Sequence, residues 1–255
     1  MKKKLIAAAA LCCALACTIV PAHAGTKIKR AATGNTAKTV ALDETGAAAG
    51  TLTDKTEYIL YIPAGLKPGT RHPLVVALSP GGEPYSMLNA WRSAADRHKW
   101  LVFASKVFSN GGDADKKLAA VSSALYNEIC LRPDTDCTKT IVTGMSGGAM
   151  GSYILAMMEP GMIAAVVANT GMMHENEKRA NYPRGKAAVF LASPADFRYD
   201  AMKQDRGFLE ERGWKTEWLE FAGGHTIAPA GIYERAAQWV QTNVFSTPQP
   251  PQENR

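Results

Sequence analysis

From Tyr58 onward, short apolar runs alternate with amphipathic segments, and this alternation constrains the fold more than any other feature of the chain. Strands are expected near "YILYI" (58–62), "LVVAL" (74–78), "LVFAS" (101–105), "TIVTG" (140–144), "AAVVAN" (164–169), "AAVFLA" (187–192) and "TEWLEF" (216–221). Several of these runs are apolar throughout, as strands are when helices cover both faces of a parallel sheet. Helical patterns fill the gaps near 85–98, 115–130, 147–158, 201–212 and 229–243. The expected class is therefore α/β, a mostly parallel central sheet flanked by helices. The first run alternates more than the others and reads as an antiparallel edge.

The flanks of this region read differently. Residues 1–24 have the form of a secretory signal peptide, with Lys2, Lys3 and Lys4, an apolar stretch from Leu5 to Cys17, and Ala22-His23-Ala24 as a small-x-small cleavage site. Cys17 as a lipid-modified first residue is the weaker alternative, because Ala14 stands where a leucine is expected. Residues 25–55 read as a partly disordered extension, 56–245 as one domain, and 246–255 as a disordered polar tail. The leader predicts a secreted or periplasmic protein, and no later apolar stretch is long enough for a stable membrane anchor. The net charge of +6 falls to about +3 once the three leader lysines are removed. That charge is mild and scattered, which argues against nucleic acid as a partner.

Cys12, Cys13 and Cys17 fall in the leader, which leaves Cys130 and Cys137. In an oxidising compartment, a lone pair seven residues apart reads as a disulfide closing a short loop. A metal site would need more ligands than this neighbourhood offers, so no metal is expected.

Ligands of open α/β sheets bind beyond the carboxyl ends of the strands, so the residues just after each strand are the ones to inspect. After the 140–144 strand comes Gly144-Met145-Ser146-Gly147-Gly148. A Gly-x-Ser-x-Gly turn lifts its serine above the sheet on a sharp strand-to-helix turn, and the flanking glycines avoid clashes. Ser146 is the candidate nucleophile. A serine hydroxyl needs a base, and His225 in "FAGGHT" follows the last strand. His174 is a weaker rival that could line the cleft, whereas His72 and His98 read as surface or packing residues. The carboxylate that orients the histidine should follow the strand between them: Asp196 is favoured over Asp200, which is placed to start the next helix. The oxyanion donors are expected to be the N–H of Gly147 and one from "SPGGEPY", with Gly82 preferred and Gly81 or Glu83 open. Tyr85, Met145 and Phe197 are the candidate substrate-binding residues, with Tyr199 as a further aromatic. Trp91 and Trp100 are expected between helix and sheet.

On "PLVVALSPGG", "TIVTGMSGGAMGSY", "FLASPAD" and "WLEFAGGHTIAP" the chain resembles the α/β-hydrolase family from about residue 56 to residue 243. Within that family it is most similar to the secreted esterase branch of polyhydroxybutyrate-depolymerase-like, feruloyl-esterase-like and dienelactone-hydrolase-like proteins. The resemblance implies a Ser-His-Asp hydrolase of carboxylic esters without metal or organic cofactor. Its partner would be a small-molecule or polymer-borne ester. One departure is Ser79-Pro80, where many relatives carry a histidine before the oxyanion glycines. A second is the loop from Gly171 to Lys186, too short for a lid domain, which predicts an open cleft. A serine peptidase or acyltransferase with the same triad, and a binding protein on the same fold, are the alternatives.

Overall fold

The structure is a computed structural model that describes residues 37–39, 50–179 and 181–246. The expected leader, most of the expected extension and nearly all of the expected tail lie outside the described residues.

Nine strands form one sheet in the order β1-β2-β3-β5-β4-β6-β7-β8-β9. They are β1 (Ala37–Thr39), β2 (Thr51–Asp54), β3 (Tyr58–Ile62), β4 (His72–Leu78), β5 (Leu101–Ser105), β6 (Thr135–Met145), β7 (Ile163–Asn169), β8 (Ala187–Ala192) and β9 (Lys215–Glu220). From β5 to β9 all neighbours run parallel, and β1, β2 and β3 add on antiparallel. The helices are α1 (Pro84–His98), α2 (Ala114–Ala124), α3 (Gly147–Met158), α4 (Tyr199–Glu210) and α5 (Ala230–Val240).

The period-2 alternation of each strand divides the core into two layers. Val75 and Ala77 of β4 face a layer with Leu88 and Trp91 of α1 and Tyr233 of α5. Leu74, Val76 and Leu78 face the other layer, with Leu118 of α2, Tyr153 of α3 and Met202 of α4. Trp91 and Trp100 are fully buried in the first layer, as expected, and the Trp91 indole donates to Thr143 Oγ1 at 3.2 Å.

Three features depart from the sequence reading. The sheet does not end at β3, because Thr51–Asp54 within the expected extension pairs with it. Tyr58–Tyr61 are consequently buried, so β3 is antiparallel but interior. The two helical patterns at 115–130 and 229–243 widen after Ala124 and Val240 and finish as π turns over Leu125–Ile129 and Gln241–Phe245. β6 begins five residues before "TIVTG", and a register irregularity at Pro73/Leu74 accommodates the extra residues against β4. Cys130 leaves the first π turn and is bonded to Cys137 on β6, with their Cα atoms 5.6 Å apart. No helix among the described residues is long and apolar enough to cross a membrane.

The chain leaves β4 for β5 on one side and returns through α2 to β6 on the other, so the strand order reverses at β4. A crevice opens at such a switch point, beyond the carboxyl ends of the strands. Leu78 pairs with Gly144 and Met145 with Asn169 there, which aligns the ends of β4, β6 and β7.

Candidate active site

Ser146 stands between β6 and α3 with φ 55° and ψ −117°, a conformation that side chains rarely adopt. Two features hold it there. The Ser146 N–H donates to the Asn169 carbonyl at 2.9 Å, and its carbonyl accepts from Ala149 and Met150 in the first turn of α3. The glycines of the motif have steric reasons. A Cβ on Gly144 would overlap the backbone of Gly148, and one on Gly148 would overlap the Leu78 carbonyl. A Cβ on Gly147 would collide with the Asn110 side chain.

His225 lies in the loop after β9, where Gly223 and Gly224 have φ of 146° and 69°. Its Nδ1 is 2.6 Å from Asp196 Oδ2 and its Nε2 is 2.9 Å from Ser146 Oγ. A carboxylate oxygen accepts, so Nδ1 carries the proton and Nε2 accepts from the serine hydroxyl. Asp196 follows β8, its side chain is fully buried, and its Oδ1 accepts the Arg198 N–H at 2.7 Å. Ser146, His225 and Asp196 are thus brought together from three strand ends. Asp200 is in the first turn of α4, exposed and 3.8 Å from Lys203, outside this chain of contacts.

The N–H of Gly147 opens α3 and has no acceptor among the described residues. It adds to the positive end of the helix dipole beside Ser146 Oγ. The N–H of Gly82, the preferred second donor, closes the Ser79–Gly82 turn by donating to the Ser79 carbonyl at 3.2 Å. Its φ of 72° requires a glycine, and Ser109 packs against it. The N–H groups of Gly81 and Glu83, the other two options, have no acceptor among the described residues.

Of the expected substrate-binding residues, Phe197 is 75% exposed and lies on His225, with ring centroids 4.7 Å apart. Tyr85 is exposed in the first turn of α1, and Met145 packs against the core layer of α1 and α5. A cavity of about 550 Å³ begins at Gly147 and runs along Met150, Ile154 and Met157 of α3 under the 171–186 loop. His174 lines it together with Asn110 and Glu177, and none of Tyr85, Met145 and Phe197 does. Burial pushes the Glu177 carboxyl up to about 8, helped by the nearby Asp205 and opposed by the His174 backbone.

Three residues of the site escape a reading by motif. Arg198 donates from Nη1 to Ser146 Oγ at 2.9 Å. Asn169, buried at the end of β7, accepts from Ala228 N and Tyr233 Oη at 2.8 Å each and donates to the Thr226 carbonyl at 3.1 Å, which ties down the histidine loop. Ser193 Oγ accepts the Gly224 N–H at 2.9 Å from the other side. Inspecting every strand end brings up Asn169, but an asparagine there also suits an ordinary turn. Arg198 carries no signal beyond standing two residues after Asp196.

No family model and no curated protein matches this chain. Solved structures do. An esterase, PE8, superposes with a TM-score of 0.59 at 17% identity, over 74% of this chain and 99% of that one. A carboxylesterase from Mesorhizobium loti gives 0.56 at 18%, over 75% and 95%. An acylaminoacyl peptidase from Pyrococcus horikoshii gives 0.55 at 11%, covering 79% of this chain but 41% of its own. Esterases and a peptidase match alike, so the likeness speaks to architecture and leaves the reaction to the site. With its sheet order, its flanking helices and these neighbours, the chain has the α/β-hydrolase fold.

Proposed function

We propose that this protein is a serine hydrolase that cleaves carboxylic esters through an acyl-enzyme on Ser146. One observation carries the reading: a serine at positive φ on a strand-to-helix turn, 2.9 Å from a histidine that is itself 2.6 Å from a buried carboxylate. Ser146 Oγ attacks the ester carbonyl while His225 Nε2 takes its proton, and Asp196 holds the Nδ1–H and stabilises the imidazolium. The carbonyl oxygen becomes an oxyanion, which the Gly147 N–H receives together with a donor from the Ser79–Glu83 turn. For Gly82 to be that donor it must exchange its bond to Ser79 for the oxyanion; Gly81 and Glu83 need no such exchange. Collapse of the intermediate breaks the C–O bond, and His225 passes its proton to the leaving alcohol. Water then attacks the acyl-enzyme with His225 again as base, and Ser146 regains its proton. No step draws on a metal or cofactor.

The secreted esterase branch is the assignment that the motifs favour. The leader-like residues 1–24 and the Cys130–Cys137 bond support export to the periplasm or beyond. The 171–186 loop, whose regular structure among the described residues is one 3-10 turn at Glu175–Glu177, leaves the cavity without a lid domain and suits a bulky or polymer-borne ester.

Release of p-nitrophenol from acetyl and butyryl esters, measured beside a peptide anilide, tests the reaction. Ester turnover that is lost in Ser146→Ala and after treatment with a serine-directed phosphonate is expected. Anilide cleavage faster than ester cleavage would favour the peptidase reading, and failure of the phosphonate to label Ser146 would sink the hydrolase reading.

A further inference from the structure

A cation reaches the nucleophile, and triad chemistry does not require one. Arg198 Nη1 donates to Ser146 Oγ at 2.9 Å, and its guanidinium carbon lies 5.1 Å from the centroid of the Phe197 ring, which in turn lies on His225. The Arg198 N–H is fixed on Asp196, so the side chain starts from the triad's own loop. Three other arginines meet carboxylates: Arg97 pairs with Glu234, Arg132 with Asp134 and Arg206 with Glu210. Among the described residues no carboxylate pairs with the Arg198 guanidinium. Four of its five N–H donors have no acceptor side chain there, although it is partly withdrawn from water.

This placement has a cost for catalysis on a neutral ester. As Ser146 attacks, a lone pair of its Oγ is held by the Arg198 N–H, and a neutral ester opposes the release of that bond by leaving the cation without a partner. A substrate that brings its own negative charge removes the opposition and fills the empty fork in the bidentate geometry that guanidinium offers to carboxylates. With hydrogen bonds of about 2.9 Å, a carboxylate on this guanidinium lies about 4–6 Å from the carbon that Ser146 attacks. Three covalent bonds between the two carbons, fully extended, reach about 3.8 Å, as between successive Cα atoms, and so meet the short end of that range.

We propose that the substrate is an ester bearing a carboxylate about three bonds from the scissile carbonyl, and that Arg198 receives this carboxylate as it releases Ser146 Oγ. The inference rests on Ser146 being an ester-cleaving nucleophile. Two pairs matched in carbon skeleton test it: monoethyl succinate against ethyl butyrate places the charge on the acyl side, and acetoxyacetate against ethyl acetate places it on the alcohol side. Acid release at constant pH gives kcat/KM for each, in the wild type, Arg198→Gln and Arg198→Lys. In at least one pair the charged ester is favoured tenfold or more by the wild type. That ratio falls at least tenfold in Arg198→Gln and recovers in part in Arg198→Lys, which keeps the charge without the fork. A wild-type ratio under tenfold in both pairs overturns the inference, and so does a ratio that survives Arg198→Gln or an equal loss on charged and neutral esters. Phosphonate labelling of Ser146 in every variant keeps the two levels apart. Labelled enzyme with no charge preference refutes the role of Arg198 alone, whereas unlabelled and inactive wild type refutes the ester-hydrolase reading and this inference with it.

Discussion

Ser146 keeps a strained backbone because its neighbours leave no alternative: its N–H is bound to β7, its carbonyl belongs to α3, and the glycines around it touch backbone on two sides. Gly144→Ala should therefore cost more than the common range of about 0.5–3 kcal/mol for single substitutions, since no side chain can yield to the new methyl. Chemical denaturation, or the yield of soluble protein, reads this directly. Removing the hydroxyl is a different experiment. Ser146→Ala should leave the fold intact and lower kcat by at least about 10⁴-fold, the scale seen when a triad member is deleted elsewhere. Asn169 acts one step back. Asn169→Ala strips acceptors from Ala228 N and Tyr233 Oη inside the core, at about 1–3 kcal/mol for each group left unsatisfied. Its activity loss should come with a higher B-factor or faster hydrogen exchange over residues 222–228, which separates a loosened histidine loop from a lost catalytic group.

At the scale of elements, the chain of contacts through Ser146, His225 and Asp196 is a product of alignment: β6, β8 and β9 run parallel, and each contributes one residue past its end. The disulfide sits at the opposite end of β6, joining the π turn after α2 to the strand that carries the nucleophile. In a chain-entropy picture, a loop this short contributes about 2–3 kcal/mol. Cys130→Ser with Cys137→Ser should lower the thermal midpoint measurably while kcat/KM on a short ester stays within about twofold, because most of β6, about 30 Å of extended chain, separates Cys137 from Ser146. Parallel strands announce themselves in sequence because burial on both faces makes them continuous apolar runs, and β5 and β8 begin and end where those runs do. β2 is opaque for the converse reason. "TLTD" is short and half-polar, and only its pairing with β1 and β3 makes it a strand. The same distinction holds in the site. Ser146, Asp196 and His225 are legible because strand ends and glycines mark them, whereas Arg198 and Asn169 take part through side-chain geometry that no spacing encodes. Gly82 was marked by its glycine character, yet the direction of its N–H follows from the turn as a whole.

At the scale of the molecule, the two core layers differ in the charge they enclose. The layer of α2, α3 and α4 borders Glu177 and Asp205, both buried; burial raises the Glu177 carboxyl to about 8 and moves Asp205 upward as well, despite the Lys178 ammonium 2.9 Å from it. The folded protein thus holds a proton on Glu177 that the unfolded chain gives up near the ordinary value of 4.5. Stability from this group is full below about pH 4.5, declines as pH rises and is gone above about pH 8. Glu177→Gln should gain thermal midpoint relative to the wild type progressively between pH 5 and pH 9, and a difference independent of pH would refute a buried titration there. One further consequence lies at the meeting of β4 with the nucleophile turn. The Leu78 carbonyl abuts Gly148, and the next residue, Ser79, begins the turn that Gly82 closes. The gap between Ser146 and that turn is thus gauged by main chain against main chain, which no exchange of side chains resets. Substitutions around the rim would therefore leave the spacing between Ser146 and the Ser79–Gly82 turn as it is.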